Sequence, residues 1–196
     1  LNNDLIQIDI DDYKESETVL KIINDLKIKC NIIETSRGKH FYFKNTDVQN
    51  RKQGFHTPIE VKIDVGLGIQ NAVIPLKIKG KYRKVIKECE EIEQLPPWLY
   101  PVSKKSYVDF STLEDGDGRN STLFPYILVL QQAGLSKESI RESIKVLNKY
   151  IIKEAVTESE LDVILRDEAF KKECFYLKGK LQYEKLAKSV SYTHLR

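Results

Sequence analysis

Leu5-Ile-Gln-Ile-Asp-Ile-Asp11 alternates apolar and polar side chains, with Ile6, Ile8 and Ile10 on one side and Gln7, Asp9 and Asp11 on the other. A period of two is the mark of a half-buried β-strand. Residues 15–27 then carry Val19, Leu20, Ile22, Ile23 and Leu26 at helical spacing, which predicts an amphipathic helix lying on a sheet. Further β-rich runs follow at 30–35, 40–44, 59–65 and 72–76, with another at 82–86, punctuated by Gly38, Gly66, Gly68 and Gly80. One strand, one helix and then a mostly antiparallel set of strands predict an α+β fold.

Downstream the pattern changes. Pro96-Pro97-Trp98, Pro101 and the polar Glu114-Asp-Gly-Asp-Gly118 stretch read as a connection over 96–118. Beyond it the chain turns helical. Asn120 or Ser121 is expected to cap a helix running to about Ala133, with Gly134 as its stop. Ser136 caps a second helix whose Ile140, Ile144, Leu147 and Ile151 form one stripe, and Thr157-Glu-Ser-Glu160 is a capping box opening a third, with Leu161, Ile164 and Leu165 inward.

The chain has 196 residues, 41% of them hydrophobic and 31% charged, enough apolar material for a core and too much for a disordered segment. No apolar run approaches the ~18 residues that span a bilayer, and no signal-peptide pattern opens the chain, so the cytoplasm is the expected compartment. Cys30, Cys89 and Cys174 are odd in number and far apart, which suits free thiols better than disulfides or a metal knuckle. The net charge of +3 hides an asymmetry: residues 37–87 hold twelve basic residues against three acids. That excess, interleaved with Phe41, Tyr42, Phe43, Phe55 and Tyr82, fits a phosphate-rich partner. Residues 136–172 balance eight basic with eight acidic residues and offer no basic face.

Asp9 and Asp11 share one side of a strand at a spacing of ~6.6 Å. Carboxylates so placed suit a hard divalent cation, Mg²⁺ or Mn²⁺. Asp64, at the end of Val61-Lys-Ile-Asp64, could add a third carboxylate from a neighbouring strand, giving a two-metal site of the kind that clamps attacking and leaving oxygens in phosphoryl transfer. His40 follows Ser36-Arg37-Gly38-Lys39 and opens an aromatic strand, where the glycine would let an anionic phosphate approach. His56 is read as structural.

In this order the motifs resemble the archaeo-eukaryotic primase superfamily: Ile8-Asp-Ile-Asp11, then Thr35-Ser-Arg-Gly-Lys-His-Phe-Tyr-Phe43, then Val61-Lys-Ile-Asp64 followed by Ala72-Val-Ile-Pro-Leu76. The nearest likeness is to the primase-polymerase domain of phage and plasmid replication proteins. The resemblance implies an RRM-like catalytic module, metal binding by Asp9, Asp11 and Asp64, and contact of His40 with the triphosphate of an incoming NTP or dNTP. Ser36, Arg37, Lys77 and Arg83 are further candidates for holding that triphosphate. A single-stranded DNA template is the implied partner. Residues 119–172 look like the primase C-terminal helical domain, and 173–190 like the start of a segment leading into a fused superfamily 3 helicase. Residues 1–95 would then be the C-terminal catalytic part of the primase-polymerase domain, its beginning missing. Residues 191–196 resemble the translation of a sequencing-library adapter and are set apart from fold and site.

Two rivals share the sequence. Glu60-Val-Lys62, read on the strand face of Asp64, mimics a metal-dependent nuclease site. A sheet bearing Phe41, Tyr42 and Phe43 in a basic segment could instead be a non-enzymatic module that binds single-stranded DNA or initiates replication.

Overall fold

The computed structural model describes residues 4–50, 52–67, 77–78, 80–102, 110 and 119–170. Its centre is a six-stranded antiparallel sheet built from β1 (Leu5–Ile10), β2 (Asn31–Glu34), β3 (Lys39–Lys44), β4 (Lys52–His56), β5 (Lys62–Leu67) and β8 (Val85–Lys87), in the order β4-β5-β1-β3-β2-β8. The remaining strands, β6 (Lys77–Ile78) and β7 (Lys81–Tyr82), form a separate two-stranded ribbon. The α+β class expected from the sequence is the class observed.

Alternation sorts the sheet into two faces. Ile6, Ile8 and Ile10 pair across with Phe43, Phe41 and Lys39 of β3, and Ile6 and Ile8 with Leu67 and Val65 of β5. Helix α1 (Tyr13–Asp25) covers that face with Val19, Ile22 and Ile23, all fully buried. Each such side chain contributes about 1.5–3 kcal/mol of burial. Asp12 opens α1 by accepting the Glu15 amide at 2.8 Å, so the helix starts two residues earlier than its apolar periodicity suggests. Because β3 lies between β1 and β2 and runs antiparallel to both, β1-α1-β2 is a split crossover, parallel strands with a third inserted.

Lys39 belongs to the α1 face and is 1% exposed. Its Nζ lies 2.6 Å from Glu17 Oε1 and 4.5 Å from the Tyr13 ring centroid, so the buried charge is met on both sides.

Three strand expectations need correction. The run at 59–65 begins later, at Lys62, because residues 57–61 form the tight β4–β5 turn with Pro58 inside it and Glu60 at a φ of 67°. Residues 53–56, which lie in none of the expected β-rich runs, form most of β4. The run at 82–86 is divided between β7 and β8. The expected strand at 72–76 lies outside the described residues.

The helices follow the predicted order: α2 (Arg119–Gln132), α3 (Lys137–Tyr150) and α4 (Glu158–Ile164). Since α2 already includes residues 119–121, neither Asn120 nor Ser121 is its cap. Gly134 takes a φ of 95° just after α2, and Ser136 caps α3 by accepting the Ser139 amide. Thr157 and Glu160 close the capping box on α4 from both directions. In the 96–118 stretch, Trp98 and Leu99 of a 3₁₀ turn, together with Phe110, are buried in an apolar cluster that also takes in residues of β1, α1, α2 and α3, and Val102 is buried as well. No helix among the described residues is long and apolar enough to cross a membrane.

Candidate functional site

The face of the sheet turned away from α1 carries the polar members of the alternation. Asp9 of β1 is the direct cross-strand partner of His40 on β3 and of Asp64 on β5. Directly opposed residues hold their Cβ atoms about 4.5–5.5 Å apart, so Asp64, Asp9 and His40 form one row across three strands. One step along, Gly66, Gln7, Tyr42 and Asn31 make the next row.

His40 joins this row to the basic segment. Its Nε2 lies 3.2 Å from Asp9 Oδ2, and its Nδ1 lies 3.4 Å from an Arg83 guanidinium nitrogen and 3.2 Å from the Tyr42 hydroxyl. A guanidinium only donates, so Nδ1 accepts from it and the ring proton sits on Nε2, donated to Asp9. Tyr42 is buried beside the histidine, and that burial pushes its hydroxyl pKa up to about 12. It is a neutral hydrogen-bonding group at any physiological pH.

Asp64 is fixed from its other side. Gly54 adopts a φ of 65° within the β4–β5 irregularity and donates its amide to Asp64 Oδ1 at 2.6 Å. A glycine suits that left-handed position, and the amide it turns inward orients the carboxylate. Asp9 differs: its Oδ1 is buried without a hydrogen-bond partner. A buried carboxylate oxygen without a partner is costly unless a cation lies there.

Asp11 goes elsewhere. It lies one residue past the end of β1, and its Oδ2 is 2.5 Å from the Arg37 guanidinium in a largely exposed ion pair. Two of the expected ligand-holding groups are therefore engaged with each other. Ser36 is exposed in the same turn, where Thr35 Oγ1 accepts the Gly38 amide at 3.0 Å. Gly38 does permit a close approach, but to protein backbone: a Cβ there would stand 1.9 Å from the Ile10 carbonyl oxygen. The loop before His40 is thus seated on the end of the Asp-x-Asp strand. Lys77 lies in the β6–β7 ribbon.

Among the described residues, no three His, Cys, Asp or Glu side chains converge closely enough to form a metal-holding group by themselves. The donor set that does fit is smaller. Mg²⁺ dehydrates reluctantly and is usually held by one or two carboxylates, with water and substrate phosphates completing its shell. Asp9, with its orphaned oxygen, and Asp64 opposite it meet that requirement.

The rivals fare less well. Glu60 is not on the Asp64 strand face: it sits in the turn before β5, buried, beside the Tyr126 hydroxyl. Phe41, Tyr42 and Phe43 are all buried, so they present no stacking platform. Tyr42 and Gly54 are the site residues that sequence reasoning passed over. Tyr42 was legible as the same-face neighbour of His40 two positions on, whereas nothing local marks Gly54. Comparison with protein-family models, with curated proteins and with solved structures gave no match to this chain.

Proposed function

We propose that this chain is part of a primase-polymerase of the RRM-like type and carries out template-directed nucleotidyl transfer at the Asp64–Asp9–His40 row. The observation behind this reading is the register: three residues far apart in sequence, each from a separate motif of the primase resemblance, are immediate neighbours across β5, β1 and β3.

In this reading Asp9 and Asp64 would hold divalent cations, Mg²⁺ or Mn²⁺. Such cations, when bound, lower the pKa of a primer 3′-hydroxyl and take up charge on the departing pyrophosphate. The chain's own residues then have distinct tasks. His40, aimed by Arg83 and Tyr42, presents an N–H to an acceptor now occupied by Asp9 and available to a phosphate oxygen. Arg83 supplies a second cation beside it. Arg37 reaches the same anion by exchanging its Asp11 contact, and Asp11 is then free to join the acidic pair. The helices of 119–170 would correspond to the primase C-terminal domain, ahead of a fused helicase. Template binding would fall to the basic segment.

The test is extension of a labelled primer on a longer single-stranded template with nucleotides and Mg²⁺ or Mn²⁺. Cation-dependent lengthening is expected, lost by more than about 100-fold in Asp64→Asn, since even groups behind metal ligands contribute 10–100-fold. Shortening of the primer would point to a nuclease, and lengthening that survives Asp64→Asn would remove the site assignment.

A further inference from the structure

Between Lys77 and Lys87 there are six basic residues and no acidic one. The run begins with the β6–β7 ribbon, in which Gly80 takes a φ of 81°. Elsewhere in the basic segment several charges are engaged within the molecule. Arg37 meets Asp11, Lys39 is buried on Glu17, and Lys87 donates to the Ile28 carbonyl at 2.7 Å. The aromatic residues at 41–43 are buried as well. Tyr82 differs from those rings in exposure: it is 78% exposed, with Lys84 and Val85 exposed close by in the chain. Arg83, between them, reaches His40. The exposed ring is therefore tethered one residue from the candidate site.

An exposed ring in a run of lysines has the two elements of single-strand recognition, a stacking surface for a base and cations for the backbone. Duplex phosphates could meet the lysines, but duplex base faces are covered by their neighbours and cannot reach the ring. We infer that residues 82–84, from the end of β7 onward, bind single-stranded nucleic acid, with Tyr82 stacking on an unpaired base and Lys84 contacting phosphate. The inference rests on the nucleotidyl-transfer reading only in making that strand the template; the binding itself requires neither metal nor nucleotide.

Fluorescence anisotropy with a fluorescein-labelled oligothymidylate of about twenty nucleotides, longer than one stacking site requires, tests it in EDTA at low salt. Tyr82→Ala should weaken binding by about 5- to 100-fold, the range for losing one stacked base, while Tyr82→Phe stays within about twofold of the parent chain. Lys84→Gln should reduce the slope of log affinity against log salt by about one. Unchanged affinity in Tyr82→Ala, equal loss in the alanine and phenylalanine variants, a preference for duplex, or no binding by the parent chain would each overturn the inference. Tyr82-dependent binding without any primer extension would discard the nucleotidyl-transfer reading and leave this site standing.

Discussion

Single residues fix the site's geometry by what they exclude. Gly38 has no room for a side chain, because the Ile10 carbonyl oxygen lies where a Cβ would go. Gly38→Ala must therefore move the loop off the end of β1. Forcing atoms into a packed position costs about 1–3 kcal/mol, and for a chain of this size each kcal/mol lowers Tm by roughly 2–4 °C. A thermal melt should show that drop, and an unchanged Tm would mean that the loop is not seated as described. The substitution also bears on Arg37, which shares the loop. At this scale the sequence was informative about identity and silent about contact. Asp9, His40 and Asp64 each stand out in a short alternating run. That Arg37 would meet Asp11, or that Lys39 would turn under α1 while its neighbour His40 turns to the site, follows from pairing partners that no local pattern contains.

Elements were legible wherever one face is buried. Strand β1 and helix α1 declare themselves because Ile6, Ile8 and Ile10 must meet Val19, Ile22 and Ile23, and each period can be counted directly. Strand β4 was missed for the same physical reason in reverse. It is an edge strand whose one partner strand is β5, apart from a bridge between His56 and Val102, with Lys52, Gln53 and Gly54 among its five residues, and an edge needs no apolar alternation to hold its place. The start of α1 was misjudged because the apolar periodicity that marks the helix does not reach back to Asp12. Its carboxylate closes the first turn of the helix. Asp12→Ala should lower stability by about 1 kcal/mol and Asp12→Asn by much less, measured from urea midpoints at constant m-value. Equal losses in the two variants would show that charge, and not the cap, is what Asp12 supplies.

For the whole molecule, the contacts between sheet and helices are buried. The Tyr126 hydroxyl of α2 donates to the Pro58 carbonyl in the β4–β5 turn at 2.8 Å, and burial, with Glu60 beside it, pushes that hydroxyl's pKa upward. Phe110 packs edge-on against the same ring, with centroids 4.8 Å apart. One apolar cluster runs from the sheet through Trp98 into α2 and α3. The two parts should consequently unfold together. Calorimetry should show a single transition, and Tyr126→Phe should lower it as a unit by about 0.5–1.5 kcal/mol. Separate melting of the helical part would contradict a shared core. None of this was visible in the sequence, where proline and glycine made 96–118 look like a tether; Trp98, Leu99 and Phe110, described within it, are buried.

The central claim is that Asp9 and Asp64 act as one site because the sheet makes them neighbours. The most direct measurement is the rate of primer extension by Asp9→Asn, Asp64→Asn and the double variant, each verified as folded. Residues that work as a unit lose function non-additively, so the double variant should be no slower than the worse of the two single variants. Losses that multiply, or a single variant that extends at the parent rate, would contradict the account.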